Sequence, residues 1–192
     1  MTWVGGLATA GGIGFLARKF GLTIDHVAAA ELVLADGRIV RADASQNPDL
    51  LWALRGAGGN FGIVTAFELD AYPVSDVVFA QMLYDATDAT GLLERWGKLV
   101  EAAPRELTSF LYLSPGQGGS APVAQALTVW AGDDTDAAVG ALTPLLSVAP
   151  VLQQQAQLLP YAAIVAPTTP RTTAARPTRC SATASPCTSP RS

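Results

Sequence analysis

The chain has 192 residues, 49% of them hydrophobic and 15% charged, which is enough apolar material for one domain or two small ones. A net charge of −4 argues against a nucleic-acid partner, which needs a basic face. No apolar run reaches the roughly 18 residues of a membrane span, and Met1-Thr2-Trp3-Val4 carries no basic stretch leading into an apolar one. Neither a membrane anchor nor a secretory leader is expected, and the cytoplasm is the expected location.

The chain opens glycine-rich, with Gly5, Gly6, Gly11, Gly12, Gly14 and Gly21. Phe15 to Phe20 allows one short helical turn, with Arg18 and Lys19 outward and Gly21 as its stop. Glu31 to Ala35 and Arg38 to Ala42 are β-prone runs flanking Asp36-Gly37, a hairpin signal whose two turn positions call for positive φ. Asn47-Pro48-Asp49 reads as a helix start, with a capping Asn, Pro at the first position and an acid in the first turn. Leu50, Leu51 and Leu54 give that helix an apolar side, and Gly56 ends it. The loop Gly56 to Gly62 leads into a strand, Ile63 to Ala71, with Ile63, Thr65, Phe67 and Leu69 on one face. Pro73 closes it, and a domain boundary is expected there.

Val77 to Tyr84 predicts a strand. Leu92, Leu93, Trp96, Leu99 and Val100 recur at helical spacing up to Pro104. Leu107 to Leu113 and Val123 to Trp130 predict strands around a Pro/Gly turn. Asp133, Asp134 and Asp136 open a helix running towards Leu146. The order predicts an α+β fold with an antiparallel sheet.

Residues 166–192 contain four arginines, no acid and no Leu, Ile, Val or aromatic residue, so the rest of the chain holds all 16 acids. Such a segment cannot bury enough surface to offset its ordering entropy. A disordered arm and a frameshifted sequence both fit, and the abrupt end of helical and strand patterning after Tyr161 to Val165 favours the frameshift. Cys180 and Cys187 lie in that segment, so they indicate no redox compartment.

The two glycine-rich loops, Gly5 to Gly14 and Gly56 to Gly62, are the most informative features. Glycine lets a backbone approach a ligand and aim several N–H groups at one point, which suits a pyrophosphate. Each loop alone is also compatible with a tight turn. Gly12-Ile13-Gly14-Phe15-Leu16-Ala17 also fits the G-x-G-x-x-A pattern of an NAD-binding unit, with Asp36 some twenty residues on. That unit needs a preceding strand, a full crossover helix and a parallel second strand, and this sequence offers none of them. His26 is the lone histidine and reads as structural; neither a catalytic triad nor a metal cluster is expected. Trp52, Trp96 and Trp130 read as core, while Tyr84, Tyr112 and Tyr161 could face a substrate or pack.

The run from Gly5 through Gly11-Gly12-Ile13-Gly14 to His26, then Asp36-Gly37-Arg38, then Asn47 to Thr65 with Arg55-Gly56-Ala57-Gly58-Gly59-Asn60-Phe61-Gly62, resembles the FAD-dependent oxidoreductases of the vanillyl-alcohol-oxidase and berberine-bridge-enzyme type. These blocks cover residues 5 to about 73 in order. Residues 75–165, with Leu159-Pro160-Tyr161, resemble more loosely the start of that family's substrate domain. The resemblance implies a central piece lacking both ends: residues 1–73 as the second half of a PCMH-type FAD-binding domain, residues 74–165 as part of an antiparallel-sheet substrate domain, and 166–192 as tail. It implies FAD as cofactor, held at Ala8, Thr9, Gly11, Gly12 and Gly14 in the first loop and through the backbone of Gly62, Ile63 and Val64 in the second. It implies oxidation of a small organic or sugar substrate, with no metal, no nucleic acid and no membrane, and it assigns no catalytic residue and no oligomeric state. Ala10 stands where the family carries a third consecutive glycine. The family's flavin-linking His has no counterpart in the sequence, and His26 does not occupy its position. With half of the FAD cradle and much of the substrate lid absent in this reading, weak or no flavin binding and no turnover are expected of this chain; an inactive, cofactor-free fragment or pseudogene product is the alternative, and an NAD-binding module the more distant one.

Overall fold

The computed structural model describes residues 4–74, 76–116 and 120–165, so the expectations for the tail lie outside the described residues. The fold is α+β, and every strand pairing among the described residues is antiparallel.

The first layer is a three-stranded sheet of order β2-β1-β3, formed by β1 (Val27–Val33), β2 (Ile39–Ala42) and β3 (Ile63–Leu69). Helices α1 (Val4–Thr9) and α3 (Pro48–Ala57) close a small core of Ala8, Val27, Ala30, Leu32, Ala42, Leu51 and Leu54. The hairpin between β1 and β2 forms, with Leu34 N–H donating to Arg38 O at 2.9 Å and Gly37 N–H to Leu34 O at 3.0 Å. Only Gly37 has positive φ (83°), not both turn residues, so the connection is a three-residue loop with glycine at its left-handed position.

Asn47 is the non-glycine residue with positive φ (52°) among those described, and its side chain makes no cap; its amide donates to Arg41 O at 2.7 Å instead. Pro48 alone sets the helix start. Helical dihedrals break at Arg55 and Gly56, where glycine was expected to end the helix. The β3 face differs from simple alternation. Glu31 pairs with Ala66 and Leu32 with Val64, leaving Thr65 as a bulge that flips the phase, so Val64 and Phe67 pack on the core while Ile63 is exposed. Trp52 is 79% exposed rather than core, because α3 turns Leu51 and Leu54 inward.

The second layer is a four-stranded sheet of order β5-β6-β4-β7, formed by β4 (Asp76–Asp85), β5 (Leu107–Ser114), β6 (Val123–Trp130) and β7 (Val151–Pro160). Helices α4 (Ala89–Ala102) and α5 (Thr135–Leu142) cover one face of it. Along β4 the alternate residues Val78, Ala80, Met82 and Tyr84 enter that core with Leu92, Leu107, Trp130 and Leu145. Tyr84 is fully buried, its hydroxyl donating to Leu145 O at 3.0 Å, so it packs rather than faces a substrate. Trp96 and Trp130 are core, as expected; Trp96 Nε1–H also donates to Ser109 Oγ at 3.2 Å.

Helix α5 ends at Leu142 and continues to Ser147 as a 3₁₀ turn, since Pro144 has no N–H to extend it. The sequence reading contained no strand at β7. Its seven central residues are all exposed and largely Gln, so no apolar alternation marks it. The final described element is α6 (Tyr161–Val165). No helix among the described residues is long and apolar enough to cross a membrane.

Candidate functional site

The first glycine-rich loop is pinned from inside. Thr23 N–H and Oγ1 both reach Gly12 O at 3.0 Å, and Ile24 N–H reaches Gly11 O at 2.9 Å. Each of these carbonyls belongs to a trans peptide, so the N–H on its other side points the opposite way. The amides of Gly12 and Ile13 therefore face away from the 3₁₀ turn Thr23–His26. Among the described residues, the N–H groups of Gly11, Gly12, Ile13 and Gly14 meet no acceptor. The result is a run of outward donors on a loop with no acid in it, suited to an anionic ligand.

Glycine is required here for two separate reasons. Gly11 and Gly12 have φ of 105° and 74°. A methyl group at Gly12 would sit 2.6 Å from Thr23, whereas at Gly11 it would meet nothing within 4 Å. The residues just before the loop were read as part of it but form α1, with Thr9 Oγ1 donating to Gly5 O at 2.9 Å and Ala8 fully buried in the core. Two glycines do not prevent the helix, because burial of Ala8 outweighs their poor propensity.

The second loop meets the first at Gly58, where an added methyl would lie 3.6 Å from Thr9 Oγ1. Gly62 has φ of 151°, and a methyl there would lie 2.6 Å from Val33 O, so glycine is needed where β3 starts against the end of β1. Ile63 follows with its side chain 74% exposed, and Ile13 is 71% exposed on the first loop, while Val64 packs inward. Each glycine-rich loop thus carries small backbone-only positions beside one exposed isoleucine.

Gly12, Gly14, Thr23, His26, Tyr72 and Tyr161 help line a cleft of about 200 Å³. Burial pushes the Tyr161 hydroxyl above the usual phenol range. The His26 ring packs edge-on to Tyr72 at 5.1 Å, and Phe20 stacks on Tyr72 at 4.8 Å, so His26 serves as packing. Sequence reasoning missed Tyr72, whose position in a loop before Pro73 gave no periodic signal. No group of three or more His, Cys, Asp or Glu gathers among the described residues.

Helix α2 (Ala17–Phe20) joins the two layers. Arg18 and Lys19 do not simply point to solvent as expected. Arg18 donates to Leu107 O at 2.8 Å and Ala103 O at 2.9 Å, and Lys19 Nζ to Ala131 O at 2.8 Å. Phe15 packs edge-on against Phe79 and Phe110 with ring centroids 6.0 and 5.1 Å away. The sheet face opposite α4 and α5 therefore looks onto the glycine loop. Tyr112, two residues beyond Phe110, lies on that same face and is 54% exposed. Gln81, Gln125, Gln153 and Gln155 line a hollow of about 140 Å³ farther along.

The NAD-type alternative fails on geometry. The helix after Gly14 is four residues long, Asp36 sits in a hairpin turn, and β1 pairs antiparallel with both neighbours.

No family model matches the chain. It is similar to a xylooligosaccharide oxidase of Thermothelomyces thermophilus, 40% identical over 99 residues, covering 51% of this chain and 20% of that protein. It is 35% identical over 127 residues to (R)-6-hydroxynicotine oxidase of Paenarthrobacter nicotinovorans, covering 66% of this chain and 28% of the relative. Among solved structures, Physcomitrella patens BBE-like 1 superposes with a TM-score of 0.74 at 27% identity, over 84% of this chain and 34% of that one. These relatives and structures, among them FAD-linked oxidoreductases and flavoproteins of the berberine-bridge and vanillyl-alcohol-oxidase type, support this chain as a fragment of that family. The chain spans 20% and 28% of the lengths of those two curated relatives. The described residues comprise the layer carrying both glycine loops and the antiparallel sheet joined to it through α2.

Proposed function

We propose that this chain supplies one wall of an FAD site and the adjoining substrate face of an oxidoreductase acting on a small organic or sugar molecule. In this reading residues 1–73 are part of the FAD-binding domain and residues 74–165 part of the substrate domain. The observation that carries it is the row of amides from Gly11 to Gly14 that meet no acceptor among the described residues, those of Gly12 and Ile13 turned away from Thr23 and Ile24, which fix the loop. Those amides would hold the pyrophosphate, and the open space at Gly11 admits a ligand close to the backbone. Gly62, Ile63 and Val64 would meet the flat cofactor through the backbone, with Ile63 shielding it from water. Thr9 would contribute its hydroxyl oxygen as an acceptor, its proton being committed to Gly5 O. Ala8 acts from the core, keeping α1 close beneath the loop.

When bound, the flavin supplies two-electron oxidation of the substrate; the protein's share is binding, orientation and exclusion of water. The Tyr112 side of the sheet, held over the loop by Phe15, Arg18 and Lys19, would form the substrate wall. The partner is a small molecule, and the acidic surface disfavours nucleic acid.

The test is a titration followed by flavin fluorescence. FAD is expected to show weak, saturable quenching that ADP reverses by competing for the amide row, while adenosine, which lacks the pyrophosphate, gives no competition. Absence of any saturable change in a folded chain, or equal competition by adenosine, would overturn the reading.

A further inference from the structure

The 3₁₀ turn Thr23–His26 ties together elements that lead to both glycine-rich loops. At its start, the Thr23 and Ile24 amides hold the carbonyls of Gly12 and Gly11. Its end is closed by Val27 N–H, which donates to Ile24 O. There His26 O accepts from Asp70 N–H at 2.8 Å, one residue past β3, the strand that leaves the second loop.

Arg55 adds a tie from the other end of the second loop. Its Nε donates to Val27 O at 3.2 Å and its Nη2 to the same oxygen at 2.6 Å. Regular pairing is interrupted around this carbonyl. Strand β1 pairs with β2 only from Ala30 onward, and its register with β3 shifts between Val27 and Ala29. Arg55 reaches Val27 from the point where α3 gives way to the loop. Leu54 is fully buried and anchors the helix, whereas Arg55 (ψ 84°) and Gly56 (φ 120°) leave helical dihedrals. Two N–H groups of a planar fork on one oxygen constrain both distance and direction; the ammonium of a lysine on its flexible stem does not. The start of the second loop is thus fixed relative to the turn that shapes the first.

We infer that Arg55 is a positioning residue: through Val27 O it sets the two glycine loops relative to each other, so that one FAD molecule meets Gly11 to Gly14 and Gly62 to Val64 at once. The inference rests on the FAD site proposed above. A ligand that spans two loops gains when they are prearranged, whereas a ligand that meets one loop does not. Arg55 acts through the backbone of the turn, without touching the cofactor.

The test is an amide-resolved NMR titration of the wild type, Arg55→Met and Arg55→Lys, with FAD and separately with inorganic pyrophosphate. Arg55 is exposed and belongs to neither core, so both variants should keep a well-dispersed spectrum. In the wild type, FAD is expected to shift the amides of both loops. Both variants are expected to bind FAD roughly tenfold more weakly, the worth of one hydrogen bond from a charged group. Their shifts at Gly62 to Val64 should also shrink relative to those at Gly11 to Gly14. Pyrophosphate reaches the first loop alone and should treat all three proteins alike. Recovery of wild-type FAD binding in Arg55→Lys, or a matching loss of pyrophosphate binding in Arg55→Met, would show that the residue acts by charge and overturn the inference. An unchanged pattern of FAD shifts across the two loops in the variants overturns it as well, while leaving the FAD site standing. A folded wild type whose amides FAD does not shift overturns the FAD site itself, and this inference with it.

Discussion

A methyl group at Gly12 would sit 2.6 Å from Thr23, while one at Gly11 would meet nothing within 4 Å, although both residues have positive φ. Gly11→Ala is therefore expected to cost only backbone strain, about 1–3 kcal/mol. Gly12→Ala adds overpacking, about 1–3 kcal/mol more. Urea unfolding of the two variants checks the order; equal losses would contradict it. Tyr84 offers a second check. Burial pushes its hydroxyl up to about 12. A raised phenol stabilises the fold fully below the ordinary value near 10, and that contribution fades as pH rises from there towards 12. Alkaline melts should show this loss, and Tyr84→Phe should remove it. At this scale the glycines were legible in the sequence, but their separate jobs were not, because what a methyl would strike depends on distant residues such as Thr23 and Val33.

Single elements carry their own tests. Asp134 caps α5, accepting from Asp136 N at 3.1 Å and Ala137 N at 3.0 Å, so Asp134→Ala should cost about 1 kcal/mol in a thermal or urea melt. In the first layer, hydrogen bonds from Arg41 hold the carboxyls of both Asp43 and Glu68 below the usual carboxylate range. Their contribution is present above pH ~4 and is lost as pH falls further, since the unfolded chain binds protons first. Arg41→Met should flatten that acid-side decline in a pH series of melts. The sequence made most elements legible: the Asp36-Gly37 hairpin, the Pro48 helix start and the strands around residues 107–130 all form. It hid α1, whose two glycines are overruled by burial of Ala8, and the bulge at Thr65, which reverses the face of β3 without altering the residue pattern. It also hid β7, an edge strand with too little buried surface to imprint alternation.

For the whole molecule, the contact between the two layers matters most, and it was the least legible part. Arg18 and Lys19 look like surface cations on a short helix, yet they bond carbonyls 85, 89 and 112 residues away. No local pattern encodes such partners. Arg18→Ala should loosen the layers; its hydrogen bonds to two carbonyls, made by a charged group, are worth about 1.5–3 kcal/mol each before solvent screening. The expected result is faster amide exchange in α2 and near Leu107, with both sheets still protected. The central claim is that the amide row from Gly11 to Gly14, together with Gly62 to Val64, faces FAD. The most direct measurement is an amide-resolved NMR titration of the labelled chain with FAD, which registers even weak binding. The account predicts that the amides of Gly11, Gly12, Ile13, Gly14, Gly62, Ile63 and Val64 shift first and saturate together. Shifts confined to other regions, or none at saturating FAD in a well-dispersed spectrum, would contradict it.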